Sequence, residues 1–207
     1  ATRRSGWGGI FTWGEIYDYI NLFSGTKTLI VHTGMEFKFG DVYMEILYAP
    51  DDMIIDFIPD NQNEYSIVSR FYTKTKSALL LGDAGNDVAT RFEYNYGTYL
   101  KSDICQAAHH GVEDFPLSTY NLIKAPIMFY PCDQELYDSN SRFNDVREAI
   151  ASSDYIKEIL IHQHGHYTRP LATEAEKPEP EQSEEYGKIK GVTLTIGNDL
   201  SLNYYAD

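Results

Sequence analysis

Residues 77–83 read Ser-Ala-Leu-Leu-Leu-Gly-Asp, and residues 103–111 read Asp-Ile-Cys-Gln-Ala-Ala-His-His-Gly. Each stretch is a short apolar run that predicts a buried strand and ends in polar residues. The intervening residues 86–96 have the spacing of a helix. A strand-helix-strand unit almost always brings its two strands parallel through a right-handed connection. We therefore expect Asp83 and the pair His109-His110 at the same edge of one sheet.

That edge is where open α/β sheets bind their ligands. A carboxylate beside one or two imidazoles is ordinary coordination chemistry for zinc or another divalent metal, which makes Asp83, His109 and His110 candidate ligands. Gly-Asp-Ala-Gly is equally typical of a turn without function, since turn chemistry favours Asp and Gly. Residue types and spacing thus leave a metal site and a plain turn open.

Three segments of the chain resemble a known family: Leu79–Asp83, Leu100–Ile104 and His109–Gly111. Over residues 28–165 the sequence is similar to the C-terminal half of a metallo-β-lactamase-fold hydrolase. It is most similar to the branch with the competence-protein ComEC hydrolase domain and related phosphodiester-cleaving enzymes. The Asn-rich stretch Asn61–Val68 resembles the entry of that branch into the strand before the Gly-Asp.

The resemblance implies that Asp83 bridges two metal ions and that His109 or His110 binds one of them. The cofactor it implies is zinc or manganese, and the implied substrate is a small molecule or a phosphodiester. The fold it implies is the second half of an αββα sandwich. It does not decide between the two histidines.

The family's N-terminal signature, His-x-His-x-Asp-His, occurs nowhere in this chain. Two explanations follow: the chain is the back half of a longer enzyme, or the domain has lost its metal centre and serves an interaction or structural role. The start at Ala1-Thr2, without an initiator Met, favours a truncated or processed product. In the first case the partner is a missing N-terminal half or a second chain, and we expect weak or no hydrolysis by this chain alone. An unrelated α/β binding module is the third possibility.

The remaining patterns predict an α/β domain with a mixed sheet and helices on one face. Asn86 or Asp87 is expected to cap the helix at 86–96. Thr28–Val31 is expected to be a strand, and residues 51–64 a solvated connection. The other predicted elements are a hairpin at 36–39 and 42–48, strands at 66–72, 126–130 and 157–161, and helices at 117–124 and 140–152.

Four regions are predicted along the chain. Residues 1–27 form a segment with one amphipathic helix, Phe11–Phe23, and residues 28–172 form the metallo-β-lactamase-like domain. The Glu- and Pro-rich residues 173–187 are a loop, because such a composition buries little surface. Residues 188–207 alternate as a terminal hairpin that packs on the domain and joins a sheet edge.

Composition limits the classes of function. The formal net charge of −14 over 207 residues argues against a general nucleic-acid surface or membrane-surface binding, since both need a basic face. It does not argue against a nucleic-acid substrate held through a metal. The two cysteines, Cys105 and Cys132, are expected to pack in the core, and they do not indicate a cellular compartment. His162, His164 and His166 alternate and are a second, weaker candidate metal site, because Gly165 suggests a turn.

Overall fold

The computed structural model describes residues 29–50, 62–111, 115–132, 137, 144–161, 165–167, 189–195 and 201–206, the last three ranges as backbone. The chain divides into two units, Ala1–Val31 and His32–Asp207, and every element below belongs to the second. The predicted helix Phe11–Phe23, the loop 173–187 and the histidines at 162 and 164 lie outside the described residues.

Within these residues, eight strands form one mixed sheet whose spatial order is the order of the sequence. The first four strands pair antiparallel with one another. The fourth to seventh strands pair in parallel, and the eighth pairs antiparallel with the seventh. The strands are β1 Glu36–Phe39, β2 Val42–Tyr48, β3 Val68–Tyr72, β4 Ser77–Leu80, β5 Ile104–Gln106, β6 Ile127–Tyr130, β7 Glu158–Ile161 and β8 Gly165–Tyr167. The predicted α/β class and mixed sheet are confirmed.

Helices connect the parallel strands. They are α1 Asn86–Asn95, α2 Leu117–Ile123 and α3 Asn144–Ala151. Single turns of 3-10 helix occur at Gln62–Tyr65 and Gly97–Leu100, and a turn with left-handed backbone occurs at Ala108–Gly111. None of the helices in the described part of the chain is long and apolar enough to cross a membrane.

The core lies between the helices and one face of the sheet. Leu79, Cys105, Met128 and Ile159 pair in a single row across β4 to β7, and all are buried. They share one cluster with buried residues of all three helices, among them Phe92, Ile123 and Ile150. The three helices therefore cover the same face, as expected when right-handed crossovers advance in one direction along a sheet.

The opposite face of the sheet is also apolar. Ala78, Ile104, Ile127 and Leu160 form a second buried cluster there. Strand β4 is thus apolar on both sides, which explains its unbroken Ala-Leu-Leu sequence. Its last residue, Leu80, is 38% exposed, so burial on this face decreases toward the strand's carboxyl end.

The two cysteines pack in the core as predicted. Cys105 and Cys132 are both buried, and Cys105 belongs to the helix-facing row of the sheet. Burial raises the pKa of the Cys105 thiol far above its ordinary value, so that thiol is not a ready nucleophile.

Two predictions about strands were wrong. The apolar run at 28–31 is not a strand over its described residues, and Leu29 and Ile30 are 60% and 75% exposed. A run of four apolar residues becomes a strand only where a partner strand is available. The terminal hairpin does form, as Ile189–Thr195 paired antiparallel with Ser201–Ala206, but it makes its own two-stranded sheet and extends no edge of the large one.

Candidate metal centre

Strands β4 and β5 end side by side, because they pair in parallel with Leu80 opposite Gln106. The chain then turns at Gly82, whose positive φ of 59° suits glycine. The Gln106 side chain holds this peptide from both sides. Its Oε1 accepts from the Gly82 N–H at 2.8 Å, and its Nε2 donates to the Gly82 carbonyl at 3.2 Å.

The two loops that carry the candidate ligands are joined directly. The backbone N–H of His109 donates to the carbonyl of Gly82 at 2.9 Å. The backbone N–H of Asp83 donates to Oγ of Ser66 at 3.0 Å. Asp83 and the histidine pair therefore lie together at one edge of the sheet, as predicted.

The histidine loop has an unusual backbone. His109 has φ 41° and ψ 52°, His110 has φ 58° and ψ 9°, and Gly111 follows with φ 77°. Left-handed backbone costs a non-glycine residue roughly 1–2 kcal/mol. Two consecutive strained residues persist only where surrounding contacts hold them, and such strain concentrates at functional sites.

The His110 ring is held by a backbone carbonyl. Its Nδ1 lies 2.7 Å from the carbonyl oxygen of Pro131, the residue directly after β6. A carbonyl can only accept, so Nδ1 donates its hydrogen to Pro131, and in the neutral ring Nε2 carries the lone pair. Donation of the second ring N–H to a carbonyl is the usual arrangement for a metal-binding histidine.

The lone pair of His110 faces Asp83. Nε2 of His110 lies 3.9 Å from Oδ1 of Asp83, and the two side chains are 41% and 48% exposed. This separation is too long for a hydrogen bond. A tetrahedral ion about 2 Å from both atoms would need them about 3.3 Å apart, so a shift of about 0.6 Å in these half-exposed side chains would let them share one. The pair therefore presents one oxygen and one nitrogen donor to a cation arriving from solvent.

The ring of His109 has a different partner. Its Nδ1 lies 3.0 Å from Nδ2 of Asn63, which precedes it by 46 residues. The two imidazole centroids are 5.7 Å apart and the rings meet edge to face at 62°. The adjacent histidines are thus held by separate contacts, His109 by Asn63 and His110 by Pro131.

The segment that supplies Asn63 also supports α1. The carboxylate of Glu64 accepts from the backbone N–H groups of Asp87 and Val88 at 3.3 and 3.1 Å. Tyr48 Oη donates to the Glu64 carbonyl at 3.1 Å. Burial of Glu64 raises its pKa, while the bonds from the helix backbone act in the opposite direction.

These contacts correct two predictions. Glu64 is only 6% exposed, so this end of the 51–64 connection is not solvated. The residue that precedes α1 is Gly85, which has no side-chain capping bond, and Glu64 replaces the predicted cap from Asn86 or Asp87. Glu64 lies 23 residues before Asp87, so no local pattern marks it as a capping residue.

Asp83 and His110 fit part of a metal centre. Across the described ranges, no three His, Cys, Asp or Glu side chains gather into a group that could hold an ion. Of the second candidate cluster, only His166 is described, as the backbone partner of Leu160 in β8. A four-coordinate ion held by Asp83 and His110 would need further ligands.

Comparison with known proteins adds no assignment. No family model and no curated protein matches this chain.

Proposed function

We propose that this chain supplies the C-terminal half of a metal-dependent hydrolase of the metallo-β-lactamase type, acting on a phosphodiester. The observation that carries the proposal is the approach of His110 Nε2 to within 3.9 Å of Asp83 Oδ1 at the carboxyl edge of parallel strands. That edge is the ordinary ligand site of an α/β sheet. The strained backbone of the histidine loop supports the proposal, because strain of this kind marks functional loops more than plain turns.

The chain's own residues have distinct tasks in this proposal. Asp83 offers a carboxylate oxygen and His110 offers the Nε2 lone pair. The Pro131 carbonyl orients the His110 ring, while Ser66 holds the peptide nitrogen of Asp83. A zinc or manganese ion bound there would supply Lewis acidity and lower the pKa of a bound water.

The remaining ligands would come from a polypeptide that carries the His-x-His-x-Asp-His motif, as a preceding segment or a second chain. Among the described residues, the sheet face opposite α1, α2 and α3 has one row that is apolar from β1 to β6: Phe37, Met44, Phe71, Ala78, Ile104 and Ile127. The last three are buried within this chain, so only the β1 to β3 end of the row could pack against a further polypeptide.

Calorimetric titration with zinc and with manganese tests the site. We expect weak binding by the chain that is lost in Asp83→Ala and in His110→Ala. His32→Ala is the matched control, because His32 is an exposed histidine of the same domain. Binding that is unchanged in both site variants would overturn the proposal and favour the non-catalytic interaction domain.

A second measurement tests the half-centre. Hydrolysis of bis(p-nitrophenyl) phosphate is assayed with the chain alone in the presence of zinc or manganese. We expect no turnover above that of the free ion, since two ligands do not complete a centre. Turnover that disappears in Asp83→Ala would contradict the half-centre and show that the chain is sufficient.

A further inference from the structure

We propose that Asn63 and the Pro131 carbonyl hold the two adjacent histidines in opposite tautomers, so that His110 is a metal ligand and His109 is a hydrogen-bond donor. The roles toward metal and substrate rest on the proposed function. The tautomers do not, because they follow from contacts within this chain. Asn63 is in this sense a positioning residue that acts through His109.

The assignment for His110 follows from the acceptor at its Nδ1. The Pro131 carbonyl oxygen, 2.7 Å away, has no hydrogen to donate. The neutral ring must therefore place its hydrogen on Nδ1 and its lone pair on Nε2. Nε2 is the atom that faces Asp83.

The assignment for His109 is the reverse. Nδ2 of Asn63, 3.0 Å from the His109 Nδ1, is an amide nitrogen that donates and does not accept. The His109 Nδ1 must therefore accept, and the hydrogen lies on Nε2. A neutral imidazole in this tautomer has no lone pair at Nε2 for a metal ion.

The backbone keeps the two roles from being exchanged. The N–H of His109 is anchored to Gly82, while the ring of His110 is anchored 21 residues downstream at Pro131. Both residues are in left-handed conformation, and their ring planes meet at 62°. Exchange of ligand and donor would require both anchors to break.

This division suits an anionic oxygen substrate. A cation is attracted to the Asp83 carboxylate and the His110 lone pair, whereas an N–H group repels a cation and donates to an anionic oxygen.

The test is long-range proton-nitrogen NMR of the uniformly nitrogen-15-labelled, metal-free chain in mildly alkaline buffer. Ring nitrogens with and without a hydrogen differ widely in chemical shift, so each tautomer is read directly. We expect the hydrogen on Nδ1 of His110 and on Nε2 of His109. The same tautomer in both rings would overturn the inference.

The variant Asn63→Asp provides an independent test of the positioning role of Asn63. The carboxylate can only accept, so it would move the hydrogen of His109 to Nδ1 and expose a lone pair at Nε2. We expect the His109 hydrogen on Nδ1 in the spectrum of this variant. Asn95→Asp, an exposed change of equal charge in α1, is the control and should leave the spectrum unchanged.

The outcomes separate this inference from the proposed function. Opposite tautomers without zinc binding at Asp83 would support the tautomer assignment and overturn the proposed metal-dependent function. Zinc binding at Asp83 and His110 with identical tautomers would support the proposed function and overturn the tautomer assignment. A tautomer of His109 that is unmoved in Asn63→Asp would show that Asn63 does not select it, and would overturn its positioning role.

Discussion

Gly111 lies against the ring of Tyr130 so closely that a Cβ atom built on it would be 2.5 Å from Cε1 of Tyr130. Tyr130 is 1% exposed and packs on Tyr137, with ring centroids 5.0 Å apart. Close contact between Gly111 and the buried Tyr130 thus restrains the position of the histidine loop.

We expect Gly111→Ala to destabilise the protein by about 2 to 4 kcal/mol, because a steric clash in a packed core adds to the cost of a left-handed alanine. Urea denaturation measures the change in the free energy of unfolding. Gly97→Ala is the matched control, since Gly97 has φ 49° but no atom within 4 Å of its added Cβ. It should cost only about 1 kcal/mol. Equal losses in both variants would show that Tyr130 does not restrain the loop.

Strain at His110 predicts an inverted order of substitutions. We expect His110→Gly to be more stable than His110→Ala by about 1 kcal/mol, because both lose the same contacts and only glycine accepts φ 58° freely. At Arg91, exposed in the middle of α1, the order should be the usual one, with alanine more stable than glycine by about 1 kcal/mol. Thermal denaturation of the four variants decides the question. The same order at both positions would contradict a strained loop.

Glu64 and Glu93 should respond to pH in opposite directions. Burial raises the pKa of Glu64 above its ordinary value of 4.5. Hydrogen bonds from Ser118 and Thr119 lower the pKa of Glu93 below that value. The contribution of Glu64 to stability is fully present below pH 4.5 and is lost as the pH rises through its folded-state pKa. The contribution of Glu93 is present above pH 4.5 and is lost as the pH falls through its folded-state pKa.

Unfolding free energies of Glu64→Gln and Glu93→Gln, each compared with wild type between pH 3 and 7, test these signs. The stability lost in Glu64→Gln should become smaller as the pH rises, since only the wild type loses stability there. The loss in Glu93→Gln should become larger. Parallel curves for the two variants would contradict the opposed shifts.

The ion pair of Arg70 with Glu45 should contribute more to stability than the more exposed pair of Lys76 with Asp103. The Arg70 guanidinium donates to Glu45 Oε2 at 2.6 Å and to the Tyr99 carbonyl at 2.8 Å, and it lies 4.1 Å from the Tyr99 ring centroid. With Arg70 only 8% exposed, Arg70→Met should cost about 3 kcal/mol by leaving Glu45 without its cation.

Lys76→Met is the control for that loss. Lys76 pairs with Asp103 at 3.2 Å, but these side chains are 26% and 28% exposed, so the change should cost less than about 1 kcal/mol. Chemical denaturation of both variants gives the comparison. A loss for Arg70→Met no larger than that for Lys76→Met would show that burial adds nothing to this pair.

The sequence predicts local elements well where a pattern and its terminating residues agree. The hairpin at Glu36–Phe39 and Val42–Tyr48 forms with the predicted bounds, because alternating side chains flank a Gly-Asp turn. Helix α2 ends where predicted, with Lys124 as a left-handed cap at φ 46°. Thr28–Val31 was mispredicted because strand formation depends on a partner that the run itself does not reveal.

The candidate site was predictable only in part. Parallel pairing of β4 and β5 follows from the strand-helix-strand pattern, and it brings Asp83 to the histidine pair. The choice between His109 and His110 that we propose depends on Asn63 and Pro131, which are distant along the chain from the histidines they contact. The capping role of Glu64 was missed for the same reason.

The agreement between the order of the strands in the sheet and their order in the sequence has a consequence for biosynthesis. Each strand from β2 to β8 pairs with the strand made immediately before it, so the sheet can lengthen at one edge while the chain leaves the ribosome. No strand of this sheet has to wait in solution for a neighbour encoded far downstream, and unpaired edges are exposed only briefly. We expect the nascent chain to acquire protease resistance in steps, beginning with β1 to β4 and advancing with each completed crossover.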